Sequence, residues 1–193
     1  NLSPALQENL TSLGYLQMTP IQAQSLPLVL DGKDLIAKAK TGSGKTAAFA
    51  LGLLAKLNVN RLEVQALVLC PTRELADQVA QEIRRLARAL PNVKLVTLCG
   101  GTQTAPQSAT LSFGAHIAVG TPGRILKHLE QGTLELSGLK TLVLDEADRM
   151  LDMGFGEEIN RVISYAPEQR QTLLFSATYP EGIAQMSRGV QRN

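Results

Sequence analysis

Aromatic side chains are scarce: four Phe, three Tyr and no Trp make up 4% of the 193 residues. A broad stacking platform for single-stranded nucleic acid is therefore excluded. Cysteine is scarcer still. Cys70 and Cys99 stand far apart, form no CxxC pair and present no zinc-ligand spacing. A chain of this length needs no structural disulfide, and a reducing, cytoplasmic setting suits it. Neither sign of charge dominates: 19 Lys and Arg against 17 Asp and Glu leave a net charge of +2. That is too little to hold a polyanion by bulk field, so any RNA or DNA contact has to come from a local site. No apolar run approaches the roughly 18–20 residues that span a bilayer, so no membrane partner is expected. No charged segment followed by an apolar run stands at the start of the chain, so secretion is not expected. Repeats, low-complexity tracts and interdomain linkers are missing too. The first residue is Asn1 rather than Met, which leads us to expect a piece of a longer protein.

What is present is a hydrophobic fraction of 44%, enough to bury the core of one domain. Leu6, Leu10 and Leu13 follow Ser3-Pro4 and precede Gly14, the pattern of a capped helix. A second helix is expected from Thr19-Pro20 to about Asp31-Gly32. A short apolar strand over 35–37 leads into a loop at 39–46, then into a helix from Ala47 to about Leu57. Residues 66–70 are continuously apolar, as suits a strand buried on both faces. Leu75, Val79, Ile83, Leu86 and Leu90 then line one side of a helix whose other faces carry Arg84, Arg85 and Arg88. Further strands are expected at 95–99, 117–119, 142–144 and 172–175, with helices near 123–130, 157–165 and 181–189. Strands separated by helices predict an α/β fold with a mostly parallel sheet and helices on both faces. Ligands of such sheets bind at the carboxyl ends of the strands.

The most specific motif is AKTGSGKT, residues 39–46, between a strand and a helix. That is the setting of a phosphate-binding P-loop. Gly42 and Gly44 let backbone N–H groups close round phosphate oxygens, and the positive end of the next helix favours the anion. Lys45 can reach the outer phosphates, and the Thr46 hydroxyl can hold Mg²⁺. Ala39 stands where the usual pattern has its first glycine. Asp145-Glu146-Ala147-Asp148 follows an apolar strand end. Asp145 is placed to partner Mg²⁺ through water, because that ion keeps most of its shell. Glu146 is placed to orient or deprotonate an attacking water. Thr19-Pro20-Ile21-Gln22 is a capping box, and on bare sequence that bland reading outweighs contact with an adenine edge. Tyr15 is either a stacking ring or a plain packed aromatic.

Other motifs are weaker alone. Thr72-Arg73, Gly100-Gly101, Thr121-Pro122-Gly123-Arg124 and Ser176-Ala177-Thr178 all follow strands and read equally as turns and caps. Their hydroxyls, free N–H groups and arginines could also grip a phosphate backbone. His116 and His128 lack ligand spacing and read as ordinary residues.

Together, GYLQMTPIQ, AKTGSGKT, PTRELADQ, GG, TPGR, DEAD and SAT, in that order and spread over nearly the whole chain, resemble the DEAD-box ATP-dependent RNA helicases. The resemblance implies a RecA-like P-loop domain over 1–193, with 1–31 as its helical lead-in. It implies that Tyr15 stacks on adenine, that Gln22 reads its edge and that Thr19 belongs to the same nucleotide site. Residues Ala39, Lys40, Thr41, Gly42, Ser43, Gly44, Lys45 and Thr46 would bind the phosphates of ATP. Thr46 and Asp145 would serve Mg²⁺, and Glu146 the attacking water. Ser176 and Thr178 would couple nucleotide state to RNA through Asp148. Thr72, Arg73, Gly101, Thr121, Gly123 and Arg124 would contact RNA backbone with little base preference. Family members continue into a second RecA-like domain, and one branch adds a C-terminal RNA-binding domain. Both are expected to be missing from this stretch, so it should bind adenine nucleotide yet barely hydrolyse it. Ribosome assembly, ribosomal RNA as target, a monomeric state and the cytoplasm complete the expectation. The alternative of another class is an RNA- or protein-binding module with a remnant P-loop, against which the intact Lys45, Thr46, Asp145 and Glu146 speak.

Overall fold

Each short apolar run becomes one strand, and every stretch between runs supplies at least one helix. The structure, a computed structural model, describes residues 2–179 and 181–190. In chain order the elements are α1 (Pro4–Ser12), α2 (Pro20–Leu30), β1 (Leu35–Lys38), α3 (Lys45–Ala55), β2 (Ala66–Leu69), α4 (Arg73–Leu86), β3 (Leu95–Leu98) and α5 (Thr104–Phe113). There follow β4 (Ile117–Gly120), α6 (Pro122–Gln131), β5 (Thr141–Leu144), α7 (Ala147–Asp152), α8 (Gly156–Ser164), β6 (Gln171–Ser176) and α9 (Glu181–Val190). The six strands form one all-parallel sheet in the order β1-β6-β5-β2-β4-β3.

Alternation along each buried strand divides the core in two. Ala66, Val68 and Cys70 of the β2 run pack with Leu26, Val29, Phe49, Val79 and Ile83 on the α1–α4 side. Leu67 and Leu69 pack with Ile125, Met150, Ile159 and Ile183 on the other side. This is why the strands read as continuous apolar runs: both faces are covered. Helix α3 is buried almost all round, from Ala47 to Leu54. Its Gly52 lets α2 approach closely, because a Cβ there would lie 2.0 Å from Val29 Cγ1. The α4 stripe is buried as expected at Leu75, Val79, Ile83 and Leu86, but the helix ends there and a 3₁₀ turn over Ala87–Ala89 carries the chain on to Leu90.

The parallel ladder runs one residue past the strands. The Ala39 N–H donates to the Ser176 carbonyl at 2.9 Å, the Cys70 N–H to Gly120 at 2.9 Å and the Asp145 N–H to Leu69 at 2.9 Å. Three of the motifs are thereby pinned to one edge of the sheet before any of their side chains is considered. Two helices, α5 and α7, lie where only loops were expected. His116 is buried and holds the chain together: its Nδ1 accepts from the Lys94 N–H, and its Nε2 faces the Val59 carbonyl, each at 3.0 Å. No described helix is long and apolar enough to cross a membrane.

Candidate functional site

Strand β1 hands the chain to a tight turn and then to α3. Gly42 and Gly44 take positive φ, 81° and 87°. Nothing with a side chain fits at Gly44, because a Cβ would stand 2.7 Å from both Gln22 Nε2 and Thr19 Oγ1. No side chain caps α3, so its first N–H groups are left for an anion. Ala39 itself is a core residue; Lys40 is exposed, and its carbonyl accepts from the Ser43 N–H at 3.2 Å.

Gln22 does both of the things open to it from the sequence. The capping box is complete: the Thr19 N–H donates to Oε1 at 3.0 Å, and Thr19 Oγ1 accepts from the Gln22 N–H at 3.4 Å. The amide also reaches across to the loop, Nε2 donating to the Gly44 carbonyl at 3.0 Å. An amide has two hydrogens and two lone pairs, so one donor and one acceptor position remain for a ligand. Tyr15 is half-buried, and its hydroxyl donates to Glu82 on α4. Burial, with the Glu82 hydrogen bond and charge, pushes the phenol up to about 12. Tyr15, Gln22, Gly44, Lys45, Thr46 and Glu82 surround a cleft of about 290 Å³. A larger groove of about 450 Å³ between Ile83, Val93 and Phe113 lies at the amino end of the sheet, away from every motif.

Beneath the loop is a buried charge cluster. Lys45 Nζ is 2.9 Å from Asp145 Oδ1 and 3.4 Å from Glu146 Oε2. The Thr41 hydroxyl donates to Glu146 Oε2 at 3.4 Å, and Arg149 stands 3.6 Å from its other oxygen. Burial, with the Glu146 charge, pushes the Asp145 carboxyl up, and Lys45 offsets part of this. Lys45 Nζ and the Asp145 carboxylate, both buried, are held mainly by each other and keep hydrogen-bonding capacity to spare, and the buried Ser43 Oγ has no partner among the described residues. Spare donor and acceptor capacity of both signs is what a phosphate and a hydrated cation would satisfy. The residues present thus fit ATP and Mg²⁺. Glu146 sits at φ 53°, ψ 53°, a left-handed conformation costing about 1–3 kcal/mol for such a residue. The turn aims its carboxylate back at the loop.

The remaining strand ends form a row. Thr178 Oγ1 donates to Asp148 Oδ2 at 3.0 Å, and Ser176 Oγ to the Thr178 carbonyl at 2.6 Å. Partial burial would raise the Asp148 carboxyl, but hydrogen bonds from the Thr178 hydroxyl and the Arg149 N–H bring it below its ordinary value. Thr72 is a working cap, its Oγ1 accepting from the Leu75 N–H at 3.2 Å. Arg73 lies beside Gly101, a Cβ on which would be 3.8 Å from Arg73 Nη1. Arg124 Nη2 donates to the Thr102 carbonyl at 2.9 Å, joining TPGR to the GG loop. Thr121 begins α6 with its side chain unused as a cap, and Gly123 is exposed. Arg73, Gly101, Thr121 and Arg124 thus line the ends of β2, β3 and β4. Sequence reasoning missed Glu82, Gln107, His128 and Arg149. Only Arg149, on α7 three residues after Glu146, had a local signal.

An uncapped helix behind a glycine turn, with an ammonium and two carboxylates under it, is how P-loop nucleotide-binding domains are built, and this one has their RecA-like parallel sheet. The sequence model of DEAD/DEAH box helicases matches residues 19–186. The chain belongs to that family. The ATP-dependent RNA helicase DbpA of Escherichia coli is 62% identical over 192 residues, covering 100% of this chain and 42% of that protein. The ATP-dependent RNA helicase DeaD of Buchnera aphidicola from Schizaphis graminum is 48% identical over 192 residues, covering 100% of this chain and 32% of its own length. A DEAD box protein from Methanococcus jannaschii matches in structure with a TM-score of 0.95 and 41% identity, over 100% of this chain and 53% of the other. The chain thus spans about half, or less, of the relatives it matches.

Proposed function

We propose that this domain is the ATP-binding part of an ATP-dependent RNA helicase, which couples ATP hydrolysis to local separation of RNA duplexes. The observation that carries the proposal is the buried Lys45–Asp145–Glu146 cluster with its unmet hydrogen-bonding capacity. A remnant site would have little reason to keep two carboxylates and an ammonium buried together at such desolvation cost. In this reading Lys45 leaves Asp145 for the phosphates, Glu146 orients the attacking water, and Tyr15 and Gln22 hold adenine. Bound Mg²⁺, held by Thr46 and Asp145, would neutralise charge on the phosphates. Asp148, Thr178 and Ser176 transmit nucleotide state to the row of RNA-facing residues, Thr72, Arg73, Gly101, Thr121, Gly123 and Arg124. That row offers backbone contacts, so RNA is bound with little sequence preference and with strong salt dependence.

We further propose that these 193 residues bind adenine nucleotide and scarcely hydrolyse it. The relatives are about twice as long or more, and an arginine supplied from outside such a site is worth about 10³–10⁵ in rate. Ribosomal RNA as target, a role in ribosome assembly, a monomeric state and a cytoplasmic setting belong to the same proposal. It is tested by RNA-stimulated ATP turnover of the intact protein. Turnover is expected to vanish with Lys45→Ala, and a Lys45→Ala protein that keeps it would contradict the reading.

A further inference from the structure

Arg124 does not hold its own position. Its Nη1 donates to Gln107 Oε1 at 3.1 Å and its Nη2 to the Thr102 carbonyl at 2.9 Å. Gln107, on α5, is anchored in turn: Nε2 donates to the Cys99 carbonyl at 3.1 Å and to Thr102 Oγ1 at 3.2 Å. Its Oε1 also lies 2.8 Å from His128 Nε2, and His128 Nδ1 lies 2.7 Å from Thr133 Oγ1. The proton placement follows from chemistry. Arginine only donates, so the amide oxygen of Gln107 must face it. The neighbouring His128 Nε2 must then carry a hydrogen, while Nδ1 faces the Thr133 hydroxyl, which also lies 3.1 Å from the His128 carbonyl. His128 is fully buried on α6, yet both ring nitrogens are satisfied.

We propose that Gln107 and His128 are positioning residues that fix the Arg124 guanidinium for the RNA backbone. The inference rests on the reading of Arg124 as an RNA contact. Two guanidinium N–H groups bind the protein and three are left without partners among the described residues. The long side chain is therefore ordered before RNA arrives, and its fork is presented in one orientation. The relay also joins α5, α6 and the loop after β3, so three segments of the RNA-facing row share one rigid brace.

The test is a double-mutant cycle in the intact protein. Affinity for a short RNA strand is read by fluorescence anisotropy at fixed salt with a non-hydrolysable ATP analogue. Arg124→Ala and Gln107→Leu are each expected to weaken RNA binding about tenfold, the loss of one or two charge-assisted hydrogen bonds. The double variant should bind no worse than Arg124→Ala alone, because Gln107 acts only through that arginine. Gln107→Glu keeps the acceptor oxygen but loses the donor to the Cys99 carbonyl, so it should recover only part of the loss. Nucleotide affinity should not move. In ¹⁵N-histidine spectra the Nε2–H signal of His128 should shift in Gln107→Leu, where its acceptor is gone, and stay put in Arg124→Ala. Additive losses, or a Gln107→Leu protein with normal RNA affinity beside a weakened Arg124→Ala, would overturn the relay. An Arg124→Ala protein with normal RNA affinity would instead overturn the reading of this edge as an RNA grip, and the relay with it.

Discussion

Glu82 shows how much one residue can carry that no motif announces. It sits on α4, accepts from the Tyr15 hydroxyl and pairs with Arg85 at 3.0 Å. Nearby, Asn9 on α1 donates to the Arg85 and Leu86 carbonyls at 3.0 and 2.9 Å. The Tyr15 side of the cleft is thus tied at two points to the helix that begins at Thr72-Arg73. Replacing Glu82 by Leu removes the acceptor while the ring stays in place. The Tyr15 phenol, held up to about 12, should then ionise at lower pH, as read from the tyrosinate band in the near ultraviolet. ADP affinity should fall about fivefold, the worth of roughly one hydrogen bond. Unchanged ionisation and unchanged affinity would show that Glu82 does not hold the ring.

At the scale of elements, close packing and burial give two predictions. Gly52→Ala should destabilise the domain by about 1–3 kcal/mol, because its methyl would meet Val29 where α2 crosses α3. Adding Val29→Ala should return part of that in the denaturation midpoint. The second concerns α6. Burial, with the charges of Arg124 and Lys127, pulls the His128 imidazole below its ordinary 6.5. The folded ring then binds a proton less readily than the unfolded one, so stability is present above that value and is lost as pH falls below it. The urea midpoint should drop between about pH 7.5 and about pH 5.5, and His128→Gln should flatten the drop. The same elements show what could be read in the chain beforehand. All six strands and the stripe of α4 were legible, because each buries a regular apolar pattern. Helix α5 was not: it buries no residue, so Thr104–Phe113 carries no stripe to read. Helix α7 has six residues and starts from a left-handed Glu146, which leaves no room for a period. The P-loop and the Asp145-Glu146 pair were legible as local strings. The partners of Tyr15 and Arg124 were not, since Glu82 lies 67 residues from the first and Gln107 lies 17 from the second.

For the whole molecule, the sheet order explains why separate motifs act on one another. Strand β6 lies between β1 and β5, so SAT is flanked by the P-loop and by DEAD. Strand β2 follows β5, and β4 and β3 complete the row, so the P-loop and DEAD motifs run on into Arg73, Gly101, Thr121 and Arg124 along one side of the sheet. The central claim is that this edge holds a live adenine-nucleotide site. The most direct measurement is the melting temperature of the 193-residue domain with saturating Mg-ADP and, separately, Mg-GDP. A ligand at about 100 times its dissociation constant adds roughly 2.7 kcal/mol, several degrees for a domain of this size. We expect a rise with ADP, none with GDP, and no rise with ADP in Lys45→Ala. A melting temperature that ADP leaves unchanged, or raises equally in Lys45→Ala, would contradict the account.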